Sequence, residues 1–147
     1  MRGAPTPLEA PRAIGRLEPD GPWIGFDHAG GAYRFIVGSG GGTLAGAADP
    51  DLLIALAIAH FAEAFEGAPP DIEATQADLS ALVEHLIAVA SDARQRSALR
   101  EALDAIDDGL AGDAVAGRLA AAMATGDDQV DPVELLVARA EALLRSA

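Results

Sequence analysis

Four side chains in the first half of the helical region have the right chemistry for a metal: His60, Glu63, Glu84 and His85. Imidazoles and carboxylates projecting from facing helices are how helical bundles hold iron or manganese. His60 and Glu63 are about one helical turn apart on one segment, and Glu84 and His85 are adjacent on the next. Antiparallel packing of two such helices would bring the four together. The repeated Glu-x-x-His spacing of di-metal bundles is missing, so the pattern favours a core histidine and helix-end polar contacts. We expect no bound metal and no cofactor.

A second candidate is the stretch FIVGSGGGTLAGA, residues 35–47. Read from Gly40, with Gly42 and Ala45, it spells the G-x-G-x-x-G/A turn that cradles a pyrophosphate. Read from Gly38 it fails, because Thr43 takes the third position. The context fails as well. The next helix start, Asp49-Pro50, comes several residues too late to aim its N-terminus at a phosphate, and no second strand ends in an acid about 20 residues on. A Walker loop needs a lysine, and the chain has none. The segment therefore reads as a flexible connection, in which Thr43 and Leu44 could add a short strand. No serine lies in a G-x-S-x-G elbow, and a calcium loop counted from Asp104 fails at Ile106 and Val115. Enzymatic activity is not the favoured reading. A small cofactor- or metal-binding enzyme using the glycine loop or the His/Glu set stands as the alternative.

The third candidate is a concentration of rings. Trp23, Phe26, Tyr33 and Phe35 fall within 13 residues of a chain that is only 4% aromatic. One reading packs these rings on a helical core. The other makes them anchors of an exposed strand that pairs with a partner.

The elements that would position these residues follow from period and punctuation. Trp23–Asp27 and Ala32–Val37 alternate around His28-Ala29-Gly30-Gly31, which predicts a β-hairpin within residues 22–44. A lone hairpin is marginal and must lean on something else. Asp49 and Pro50 then open a helix over 50–66 that is apolar on nearly every side, with Gly67 as its stop. Such a helix must be surrounded. Residues 76–147 read as a helical bundle. Thr75 and Asp78 form a capping box, a bend falls near Ser91, and further helices start at Asp113 and at Asp131-Pro132. The fold class expected is α+β and α-dominated: an N-terminal β-hairpin followed by four to five helices in a single domain over 22–147. Residues 1–21 are proline-rich and read as an extended or disordered arm. Within it, Leu8, Ile14 and Leu17 could lie against the body.

Composition narrows the partners. The 147 residues carry 23 acids and 10 bases, a net charge of −13, and every base is arginine. Nucleic-acid affinity comes from clustered bases, so a nucleic-acid partner is not expected. The absence of cysteine removes disulfides and thiolate chemistry. No uninterrupted apolar run reaches the ~18 residues of a membrane span, and the first residues lack the apolar core of a secretory signal. These features make a cytoplasmic location the expectation. The function expected is a protein–protein interaction module without catalysis, an adaptor, regulator or assembly component, working as a homodimer or in a complex. An acidic immunity or antitoxin-like inhibitor of a basic protein is a further alternative.

Overall fold

The computed structural model describes residues 11–18, 21–29, 32–39, 42–46, 49–65, 74–123 and 131–146. Four strands come first: β1 (Arg12–Arg16), β2 (Trp23–Ala29), β3 (Ala32–Ser39) and β4 (Gly42–Gly46). They form one antiparallel sheet in the order β1-β2-β3-β4. Five helices follow: α1 (Pro50–Phe61), α2 (Gln76–Val89), α3 (Ala93–Asp107), α4 (Gly112–Ala121) and α5 (Pro132–Ser146). The chain is thus an α-dominated α+β protein with its strands gathered at the N-terminus.

The expected hairpin is β2–β3. Its register pairs Ile24 with Val37, Phe26 with Phe35 and His28 with Tyr33. The alternation turns Ile24, Phe26, Tyr33, Phe35 and Val37 into the helical core. The opposite face carries Ala13, Gly25, Asp27, Ile36 and Gly38, all buried. Trp23 packs over its cross-strand partner Gly38, so close that a Cβ there would fall 2.0 Å from the indole. A ring spread over a strand glycine restores the packing that glycine lacks.

Two strands differ from the sequence reading. β1 lies within the expected arm and is a full member of the sheet, with a bulge between Ala13 and Gly15. Its cause is tertiary. The Arg12 guanidinium sits 2.7 Å from the Asp78 carboxylate in the first turn of α2, and the Ala74 N–H donates to the Ala13 carbonyl at 2.9 Å. The second is β4, which occupies much of the expected flexible connection and pairs along its length with β3. Glycine is a weak strand former, yet here it permits close approach: a Cβ on Gly46 would touch Leu143 of α5 at 3.2 Å.

α1 is the central helix. Leu52 to Ala59 are all buried without a break. It packs chiefly on α4 and α5, and also touches α2 and the first three strands. Asp49 caps its start through the Asp51 N–H at 3.0 Å. The helix ends at Phe61, short of the expected Glu66. Glu63 adopts a left-handed φ of 50°. The Glu63 N–H donates to His60 O and the Ala64 N–H to Ala59 O. Those two bonds are the Schellman ending, with glutamate where glycine usually stands.

The remaining helices follow their caps. Thr75 and Asp78 form the reciprocal capping box. The predicted bend near Ser91 is a full break: α2 ends in extended backbone at Ala90, and Asp92 caps α3 through the Arg94 N–H at 2.9 Å. α4 begins at Gly112, where a Cβ would lie 2.2 Å from the Phe61 carbonyl, so only glycine lets α4 cross the end of α1. The first turn of α3 clasps the end of α4. Arg94 donates to the Ala121 carbonyl at 2.7 Å and to the Met123 carbonyl at 3.1 Å, and Gln95 donates to the Ala122 carbonyl at 3.1 Å. The Gln76 amide likewise meets the Ile106 carbonyl. These side chains satisfy carbonyls that helix ends leave without partners. The expected end of α4 at Gly126 and the turn before Asp131 lie outside the described residues.

Candidate functional site

The four metal candidates are not assembled. Among the described residues no group of three or more histidines and acids is placed to hold a metal ion. His60 makes an edge contact with the Phe61 ring at 5.1 Å. Glu63 is exposed in the turn after α1, and Glu84 is exposed on α2. His85 points instead to the hairpin. Its ring lies 4.8 Å from that of Tyr33, which lies 4.6 Å from that of His28, both pairs tilted. The grouping of His60 with His85 misjudged the rotation of α2, which turns His85 to the sheet.

The histidine–tyrosine–histidine cluster has a defined electrostatic setting. Tyr33 is 4% exposed. Burial, with the nearby Asp78 and Glu84 carboxylates, raises its phenol above the ordinary value. Burial and then the neighbouring His28 lower His85. Both shifts favour the uncharged forms, as expected of a packed aromatic cluster. Beside it on the outer face, Arg34 grips Asp27 with two hydrogen bonds, Nε to Oδ1 at 2.9 Å and Nη2 to Oδ2 at 2.7 Å. The Asp27 hydrogen bond and charge raise the guanidinium further.

The four aromatic candidates are placed in the two inner strands. Phe26 and Phe35 are 1% and 0% exposed, Tyr33 is in the tilted cluster, and Trp23 covers Gly38. Three of them are therefore core side chains, and none lies on a sheet edge. A surface groove of about 650 Å³ between α3 and α4 is lined by Arg94, Glu101, Asp113 and Arg118 among others. Its arginines are occupied: Arg94 clasps the end of α4 and Arg118 donates to Ala114 O at 3.0 Å.

The edges of the sheet remain. β1 is covered by the Ala74 N–H. β4 is the other edge, and its backbone geometry can be worked out. Ser39 and Gly42 are paired residues separated by a two-residue connection, so they form the hydrogen-bonded pair that closes it. Leu44 and Gly46 continue that alternation toward β3. Thr43 and Ala45 then direct their N–H and C=O groups away from the sheet, and among the described residues neither makes a further hydrogen bond. Both side chains are exposed. The strand contains no charge and no proline, the devices that normally blunt an edge. Nothing in the local sequence beyond Thr43-Leu44 signalled this strand, and composition alone disguised it as a loop.

Comparison with family models, with curated proteins and with solved structures finds no match to this chain. Among the described residues no helix is long and apolar enough to cross a membrane.

Proposed function

We propose that the chain is a protein–protein interaction module, an adaptor, regulator or assembly component without catalysis of its own, that acts by strand addition at β4. The observation that carries this reading is the pair of outward-facing peptide units at Thr43 and Ala45, on an uncharged edge, which make no further hydrogen bond among the described residues. Such an edge can accept a fifth strand into the ladder: main-chain hydrogen bonds supply affinity and alternate side chains supply selectivity. The sheet behind it is already folded on the helical core through Ile24, Phe26, Phe35 and Val37, so presenting the edge carries little ordering cost. The rings foreseen as anchors support the strand from within.

The test is capture by full-length bait carrying a photo-crosslinking side chain at Thr43, with and without Ala45→Pro. The Ala45 N–H faces away from β3, so proline there blocks the edge and spares the internal ladder. An adduct that forms with the first bait and disappears with the second supports strand addition. No adduct, or one indifferent to the proline, refutes it.

A further inference from the structure

We infer that the strand added to β4 is β4 of a second copy, joined about a two-fold axis through Leu44 into one continuous eight-stranded sheet. The inference rests on the strand-addition reading and names its occupant.

The first argument is self-complementarity. A two-fold interface places the same patch against itself, residue i on j and j on i. About Leu44, Thr43 meets Ala45 of the second copy, and Gly42 meets Gly46. The strand reads Gly-Thr-Leu-Ala-Gly, so small faces small on both sides of a single large residue. The outward peptide units are those of Thr43 and Ala45, and the operation sets them opposite each other: each N–H reaches the C=O of its counterpart. Leu44 then falls in a non-hydrogen-bonded pair with its own copy, where side chains approach most closely. Leu44 is half-buried in the single chain, and the flanking glycines leave room beside it for its copy.

The second argument is charge. A net charge of −13 opposes self-association in general. Between Arg34 and Asp49 there is no ionisable side chain. α5, which packs on β3 and β4, carries Glu134, Arg139, Glu141 and Arg145, two of each sign, and the Asp49 carboxylate just past β4 lies 3.9 Å from Arg139. The β4–α5 end is thus where two copies meet without the repulsion that the rest of the chain imposes. A basic partner strand, which the overall charge would attract, finds no carboxylate on β4 to recognise.

The third argument is continuity. α5 buries only Leu136 and Ala140 fully. Val133, Val137, Leu143 and Leu144 remain half-buried. The edge, uncovered among the described residues, and the partly covered helix are neighbours, so one docking event covers both.

The chain has no cysteine, which gives a register-specific test. Paired strands place Leu44 and its copy about 4.5 Å apart at Cα in a non-hydrogen-bonded pair, inside the range a disulfide spans. The full chain carrying Leu44→Cys should form an intermolecular disulfide under mild oxidation. Thr43→Cys, opposite Ala45 of the copy, should do so far more slowly. Ala45→Pro added to Leu44→Cys should abolish the bond, with circular dichroism unchanged. Light scattering of the wild-type chain should give twice the chain mass at high concentration and half that value with Ala45→Pro. A wild-type monomer at all concentrations, equal oxidation of the two cysteine variants, or a dimer indifferent to the proline would each overturn the inference. A monomer that nevertheless yields a proline-sensitive adduct with a different protein in the Thr43 capture leaves strand addition standing and removes only the second copy.

Discussion

Replacing Glu63 by glycine should make the protein more stable. Glu63 sits just past the end of α1 with φ 50°, a conformation in which a Cβ crowds the following carbonyl at a cost of about 1–2 kcal/mol. Glycine removes that cost, and its greater freedom in the unfolded chain gives back about 0.5–1 kcal/mol. The net gain is about 0.5–1 kcal/mol, because both Schellman bonds use backbone groups that glycine keeps. Removing an exposed acid near a helix C-terminus adds a few tenths, about 0.3 kcal/mol, through the helix dipole. Glu63→Ala separates the two effects: it loses the charge and keeps the Cβ. Urea unfolding followed by circular dichroism should therefore rank glycine above alanine by roughly 1 kcal/mol, with a melting temperature about 2–4 °C higher for each kcal/mol. A glycine variant no more stable than the alanine variant would refute the left-handed ending of α1.

Three further outcomes follow from other parts of the fold. Arg34→Met leaves the buried Asp27 carboxylate without its partner and should cost about 2 kcal/mol; the double variant Asp27→Val/Arg34→Met should recover most of that loss in the same unfolding assay. Gly112→Ala drives a Cβ into the Phe61 carbonyl and should cost about 2 kcal/mol or more, whereas Gly117→Ala, which meets nothing within 4 Å, should gain about 0.5–1 kcal/mol. The lowered His85 makes the unfolded chain bind more protons than the folded one as pH falls from 6.5. Stability should therefore decline below that pH through this residue, and His85→Phe should flatten that part of a pH series of melting temperatures.

Glu63 also shows why parts of this fold were legible in the sequence and others were not. Starts of helices are written locally: Asp49-Pro50, Thr75 with Asp78, and Asp131-Pro132 each place a cap acceptor next to its donors. The β2–β3 hairpin was equally legible, because its alternation and its turn lie in one short window. The end of α1 was not, since glycine at 67 was the obvious stop and a strained glutamate was not. β1 depends on an ion pair to a residue some sixty positions away, and no window contains both. β4 was hidden by its glycines, of which Gly46 serves close packing against Leu143 while Gly42 faces open space. The candidate site suffered accordingly. Three of the four candidate rings are core side chains, and the edge lay inside the stretch noticed for a different chemistry.

The clasp of Arg94 and Gln95 on the end of α4 has a dynamic consequence. With the carbonyls of residues 121–123 already occupied, the chain through Met123 is closed without α5. That last helix is held by α1 and by the β3–β4 side of the sheet, and buries few of its side chains. Native-state amide exchange should resolve two cooperative units, with α5 opening at a lower free energy than α2 to α4. Its amides would then act as a local gauge of whatever is docked beside them at the sheet edge.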